Sequence, residues 1–175
     1  MEEAASIHWG RMQIDTRRAT PNDAEALSAV WEVVCGERVY TAVSRPFTPQ
    51  QERDYIVSLS DREGIFVAEA GGQIVGFQSL DLWAEYSDAF DHVGVIGTII
   101  LPQWRRRGIG HRLAQHTFAY ARAHGYEKIV IYVRAGNVRA QAFYRSLGFI
   151  RKGVLERQVK IDMQYEDEIF MELFL

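Results

Sequence analysis

Apolar residues recur along this chain with two periods, and the switches between them mark out its elements. After Thr20-Pro21-Asn22-Asp23, residues Leu27, Val30, Trp31 and Val34 fall three and four apart, the spacing of one buried helical face. Thr20 stands at the N-cap, Pro21 at the first helical position and Asp23 at the acidic place of a capping box, while Gly36 suits the helix end. Thr48-Pro49-Gln50-Gln51 repeats that start, and Tyr55, Ile56 and Leu59 follow it, which predicts a second helix. The pattern then changes. Ile65–Ala70 and Ile74–Leu82 read as strands joined by Gly71-Gly72, a two-residue hairpin signal. Residues 83–91 form an aromatic and acidic loop, and Val93–Leu101 is a further strand, stopped by Pro102, which has no N–H to give a ladder.

Gly108–His124 reads as a helix with Leu113, Ala114, Phe118 and Ala121 inward. Lys128–Val133 is nearly all apolar, the pattern of a strand buried on both faces. Asn137 caps a short helix with Ala140, Phe143, Tyr144 and Leu147 inward, and Gly148 takes the left-handed position after it. Phe149–Val159 and Glu168–Leu175 close the chain as strands, and Met12–Arg18 supplies the first. This order predicts a mixed α/β fold in which strands 93–101 and 128–133 run parallel, because a helix crosses between them. Residues 1–11 read as a tail and residues 12–175 as one domain, without internal repeat, low-complexity tract or linker.

The 175 residues suit a single core that needs no disulfide or metal. An apolar fraction of 47% and a charged fraction of 25% match an ordinary soluble globule. A net charge of -3 argues against nucleic acid as the main partner. No apolar run reaches the roughly 18 residues of a membrane span. The acidic start Met1-Glu-Glu-Ala-Ala, with no hydrophobic region after it, does not read as a secretion signal. Cys35 is the single cysteine and falls on an apolar helix face, so it reads as a buried inert thiol compatible with a cytoplasmic setting. His111, His116 and His124 do not give two ligands on one helix face with a third partner, so no metal is expected.

The candidate chemistry lies at Arg105-Arg106-Arg107-Gly108-Ile109-Gly110, between a strand and a helix. Such a turn gathers unpaired N–H groups, the positive end of a helix dipole and guanidiniums at one point, which suits a phosphate-bearing ligand. A Cβ at Gly108 or Gly110 would hold the backbone away from phosphate oxygens. A second segment follows, with Asn137, Ala140, Tyr144, Gly148 and Phe149 at fixed spacing.

Together these segments resemble the core of the GNAT superfamily, the acetyl-CoA-dependent N-acetyltransferases. The resemblance runs over roughly residues 12–175 and includes Leu101-Pro102 and the closing segment from Lys160. It implies a central mixed sheet of about seven strands, flanked by helices, with parallel strands four and five splayed apart. It also implies acetyl-CoA as cosubstrate, its pantetheine arm against the backbone edge of Ile99, Ile100 and Leu101 and its pyrophosphate on Arg107, Gly108, Ile109 and Gly110. Arg105 and Arg106 would neutralise the pyrophosphate, and Asn137 would cap its helix and bond the pantetheine amide. Tyr144 would protonate the departing thiolate, since a phenol of pKa about 10 carries its proton at neutral pH.

The implied activity is acetyl transfer to a primary amine, of a small molecule or a protein N-terminus, by direct attack in a ternary complex. A CoA-binding sensor or interaction module without turnover is the alternative. A dinucleotide-binding domain fails because the glycine turn follows a late strand and lacks the third glycine. For the general base, Glu85, Asp88, Asp91, His92, Glu32, Glu37 and a water chain all stay open. The acceptor should contact the two N-terminal helices and the 83–91 loop, where Asp81 just before it and Glu85, Asp88 and Asp91 within it are acidic and Trp83, Tyr86 and Phe90 are aromatic. That loop equally suits a solvated surface or a homodimer contact.

Overall fold

A computed structural model describes residues 13–175, so Met12 of the expected first strand lies outside the described residues. The elements are β1 Ile14–Arg18, α1 Ala24–Gly36, α2 Pro49–Ser58, β2 Gly64–Ala70, β3 Gln73–Leu82, β4 Val93–Ile100, α3 Ile109–Ala123, β5 Lys128–Arg134, α4 Val138–Ser146, β6 Ile150–Ile161 and β7 Gln164–Phe174. Both N-terminal helices start as their sequences predict. The Thr20 N–H donates to the Asp23 carboxylate at 2.7 Å, with a single 3-10 turn before α1. At α2 the Gln51 N–H donates to Thr48 Oγ1 and the Gln51 side chain accepts from the Thr48 N–H, a reciprocal box. Gly36 is merely the last helical residue; the left-handed turn falls on Arg38, at φ 60°.

Seven strands form one sheet in the order β1-β2-β3-β4-β5-β7-β6. Every pairing is antiparallel except β4 with β5, which holds for Val93–Lys128, Gly94–Ile129 and Val95–Val130 and then ends. Beyond Val95 the two parallel strands part and leave a gap in the sheet. Two cores flank it. On one face Ile96, Leu113, Ala114, Ile129, Ile131 and Tyr144 pack around α3 and α4; on the other Leu27, Val30, Val34, Val67, Phe77 and Ile99 pack around α1 and α2. Successive residues of β4 thus serve opposite cores, as strand alternation requires.

Three sequence expectations are corrected. β7 begins at Gln164 and β6 runs on to Ile161, because Asp162 and Met163 both take left-handed φ (48° and 64°) and make a tight hairpin turn. β5 is not buried on both faces throughout: Tyr132 is exposed, and its hydroxyl accepts from the Trp83 indole at 3.0 Å. The residue that α2 buries is Glu52, whereas Tyr55 lies near the surface. Cys35 is buried as expected. Among the described residues no cluster of ligands suits a metal ion, and no helix is long and apolar enough to cross a membrane.

Candidate active site

The gap between β4 and β5 opens into a cleft of about 460 Å³ bounded by β4, the turn after it, α3 and α4. Its floor is decided by backbone parity. In a strand, the N–H and C=O of one residue point to the same side, and the side alternates. The Leu101 N–H bonds the Val75 carbonyl of β3 at 3.0 Å, and the His92 carbonyl bonds the N–H groups of Glu127 and Lys128 beside β5. Odd-numbered residues of β4 therefore serve β3, and Thr98 and Ile100 face the gap. The expected edge of Ile99, Ile100 and Leu101 is corrected accordingly: only Ile100 turns its backbone to the cleft, and Thr98 joins it. Ile99 borders the cleft, while the side chains of Ile99 and Leu101 pack on the α1–α2 side.

The turn carries its two glycines for different reasons. Gly108 is the N-cap of α3 at φ +78°, a left-handed conformation that side chains resist, and a Cβ there would meet nothing within 4 Å. A Cβ on Gly110 would lie 2.8 Å from the Phe143 ring of α4. Gly110 therefore lets α3 and α4 approach at the mouth of the cleft, in addition to opening the backbone. The first N–H groups of α3, from Gly108 to His111, have no partner within the helix and point into this mouth.

The three arginines divide. Arg105 is fixed: both of its terminal nitrogens bond the Glu37 carboxylate, its Nε donates to the Ile100 carbonyl at 2.9 Å, and its guanidinium lies 4.6 Å over the Tyr40 ring. Arg106 is exposed at the cleft rim with φ 62°, an uncommon conformation for a side-chain-bearing residue. Arg107 sits over Trp104 at 5.0 Å and does not line the cleft. Arg139, near the start of α4, does line it, and sequence reading missed it. A cation in the first turn of a helix opposes the dipole, a signal that could have flagged it.

Asn137 is buried and doubly used. Its Oδ1 accepts from the Ala140 N–H at 3.0 Å, capping α4, and its Nδ2 donates to the Tyr40 carbonyl at 3.1 Å. Asn137 and Arg105 therefore both clamp the Tyr40 segment against the cleft. Tyr144 is buried with its hydroxyl 3.0 Å from Thr98 Oγ1, and Gln78 Nε2 donates to the same oxygen at 2.7 Å. Burial pushes the Tyr144 phenol up, against the opposing effect of Thr98, so it stays protonated at neutral pH. Gln78 is fully buried, and its Oε1 has no partner among the described residues. A glutamine inside the apolar run Ile74–Leu82 was the sequence signal for this triad.

Of the expected base candidates, Glu37 is committed to Arg105, while Glu32, Glu85, Asp88, Asp91 and His92 are exposed. His111 lines the mouth of the cleft, edge-on to Phe143.

Comparison with known proteins agrees with this geometry. Residues 30–149 match the model of the Acetyltransferase (GNAT) family. A mycothiol acetyltransferase of Thermobispora bispora is 33% identical over 92 residues, which are 52% of this chain and 31% of that protein. An uncharacterized N-acetyltransferase of Methanocaldococcus jannaschii is 32% identical over 97 residues, 55% of this chain and 43% of that protein. The matches thus span less than half the length of these relatives. Among solved structures, a Salmonella typhimurium acetyltransferase with its cofactor acetyl-CoA superposes with a TM-score of 0.85 at 19% identity, over 93% of this chain and 94% of that one. A ribosomal-protein-alanine N-acetyltransferase from Brucella melitensis gives 0.85 at 24% identity, over 92% and 99%. These structural likenesses establish the fold.

Proposed function

Since the chain belongs to the Acetyltransferase (GNAT) family, we propose that it transfers the acetyl group of acetyl-CoA to a primary amine, by direct attack in a ternary complex. One observation carries the reading: the edge of β4 at Thr98 and Ile100, which pairs with no strand beyond Val95 and whose Ile100 carbonyl is held by Arg105, runs from a cationic helix N-terminus to a buried, protonated tyrosine. An extended amide-bearing arm adds to such an edge as a strand would. The N–H groups at Gly108–His111 and the charges of Arg106 and Arg139 receive the pyrophosphate. Arg105, already paired with Glu37, holds the turn in place and presents its remaining field to the mouth. A backbone N–H of the edge polarises the thioester carbonyl. As the amine N–C bond forms and the C–S bond breaks, the Tyr144 hydroxyl gives its proton to the thiolate, within the network set by Thr98 and Gln78.

The test is release of free CoA from acetyl-CoA across a panel of amines, with acetyl-CoA titrated in a thermal melt. Micromolar binding should raise the melting temperature by mass action, with about 2.7 kcal/mol gained at a hundred times the Kd. Arg106→Glu together with Arg139→Glu, both exposed at the cleft rim, should fold and lose that shift. A shift retained by the folded variant would move the cosubstrate elsewhere, and binding without CoA release for any amine would favour the sensor reading.

A further inference from the structure

Across β4 from the cleft, α1 and α2 close over a second cavity of about 390 Å³. Trp31 and Phe47, 5.5 Å apart edge to face, and Phe77, 5.4 Å from Trp31, supply rings to its wall, and Tyr55 adds a fourth. Gly97 lies on the β4 side and leaves room there: the nearest atom to a Cβ would be Ser79 Oγ at 3.4 Å. Ile99 lines this cavity and the cleft alike, so the two meet at one residue of β4. The gap beyond Val95 leaves the sheet open between its faces at this level.

Glu52 faces this aromatic chamber and is 3% exposed. It forms no ion pair among the described residues, and no Lys, Arg or His lines the cavity. Burial raises its carboxyl, and the Trp31 indole beside it offsets only part of that effect. A buried carboxylate without a cation is costly, and a ligand that brings the cation removes the cost. Rings around that position favour an ammonium group and an apolar body together.

We propose that this chamber is the acceptor site and that its substrate is a compact primary monoamine with an aromatic or branched apolar body and no carboxylate, its ammonium end against Glu52. The proposal rests on the acetyl-transfer reading and adds the chemical class of the acceptor. A carboxylate on the acceptor would lie beside Glu52 with no cation to meet it. A second ammonium, as in a polyamine, would find no second carboxylate among the residues that line the chamber. None of the 83–91 residues lines the chamber. In the transfer step Glu52 takes one proton from the ammonium, the freed amine forms the N–C bond, and the C–S bond breaks. The thiolate takes the Tyr144 proton, the acylated nitrogen returns one to the phenolate, and Glu52 releases its own to water. The products are amide, free thiol and one proton.

The test uses 2-phenylethylamine, phenylalanine and spermidine, with two readouts: CoA release from acetyl-CoA, and calorimetric binding to the CoA-loaded enzyme. Expected are a kcat/KM for 2-phenylethylamine about tenfold or more above the other two, and, in Glu52→Gln, an acceptor KM raised about tenfold and a kcat lowered about tenfold or more, with the acetyl-CoA KM unchanged. Gly97→Val, which fills the chamber from the strand, should weaken 2-phenylethylamine binding while the protein melts cooperatively. Preference for phenylalanine or spermidine, or an unchanged acceptor KM in Glu52→Gln, overturns the proposal. Calorimetric binding that Glu52→Gln abolishes, with no CoA release from any amine, upholds the chamber and overturns acetyl transfer.

Discussion

The two cavities on either side of β4 are built from different materials. The cleft toward α3 and α4 is built largely from backbone: a strand edge, a left-handed glycine and the start of a helix, ringed by Arg106, Arg139 and the fixed Arg105. Its charges sit at the rim, where water remains and neutralisation costs little. The chamber toward α1 and α2 is built from side chains: four rings, of which Phe47 and Tyr55 are partly exposed, and one carboxylate, Glu52, withdrawn from solvent. A backbone-lined site tolerates sequence change as long as the turn and helix persist. A side-chain-lined site changes its preference with single substitutions, because each buried polar group must find its complement in the ligand. On the proposed assignment, cosubstrate binding and acceptor choice can thus vary independently in one fold.

Breaking the cleft at its chemical end should give the largest effect. Tyr144→Phe keeps the ring that packs against Phe143 and Phe149 and removes only the hydroxyl on Thr98. Turnover should fall roughly ten- to a thousandfold, with the acetyl-CoA melting shift retained. Activity within about twofold of the parent would reduce Tyr144 to packing.

On the chamber side the expected effect is on stability. Glu52 has its carboxyl raised by burial, so the folded state binds its proton more tightly than the unfolded chain does. Below the ordinary carboxylate range, about pH 4, both states hold the proton and the residue costs nothing. As pH rises past that range the unfolded state ionises freely and the folded state does so at a cost, so native stability declines relative to a neutral residue. Glu52→Gln should therefore melt higher than the parent at pH 7, by about 2–4 °C for each kcal/mol recovered, and the gain should vanish near pH 4. An equal or lower melting temperature at pH 7 would mean that the carboxylate is already compensated.

The smallest effect is expected where sequence reading had pointed first. Glu85 and Asp88 are exposed on the 83–91 loop, outside the chamber. Neutralising both to Gln and Asn should leave the acceptor KM within about twofold, the usual reach of a screened surface charge. A large rise in acceptor KM would return that loop to the acceptor site.

Much of the cleft was legible in the sequence because its parts are local. Arg105–Gly110 forms one turn, and Asn137 caps the helix that carries Tyr144; such features are set by neighbours a few residues away. The backbone edge was misread at Ile99 and Leu101 because strand alternation tells which residues share a side, but only the pairing with β3 tells which side faces the gap. Arg105 read as a free phosphate ligand because its partner Glu37 lies far away in the chain. Gln78 and Arg139 left signals in their own segments, a buried amide and a cation at a helix start. Glu52 left none: it reads as an ordinary acid in the first turn of a helix, where the dipole welcomes it.

By itself, then, the sequence determined the elements, the glycine turn before α3, the capped helices and the parallel pair, because capping, periodicity and crossover handedness act over short distances or follow from chain order. The tertiary structure alone decided that the parallel strands part after Val95, that Arg105 is held by Glu37, and that α1 and α2 enclose Glu52 among rings contributed by Trp31, Phe47, Tyr55 and Phe77. Those features depend on how elements distant in sequence pack against one another. Burial is a property of the assembled surface, and no local pattern of residues records it.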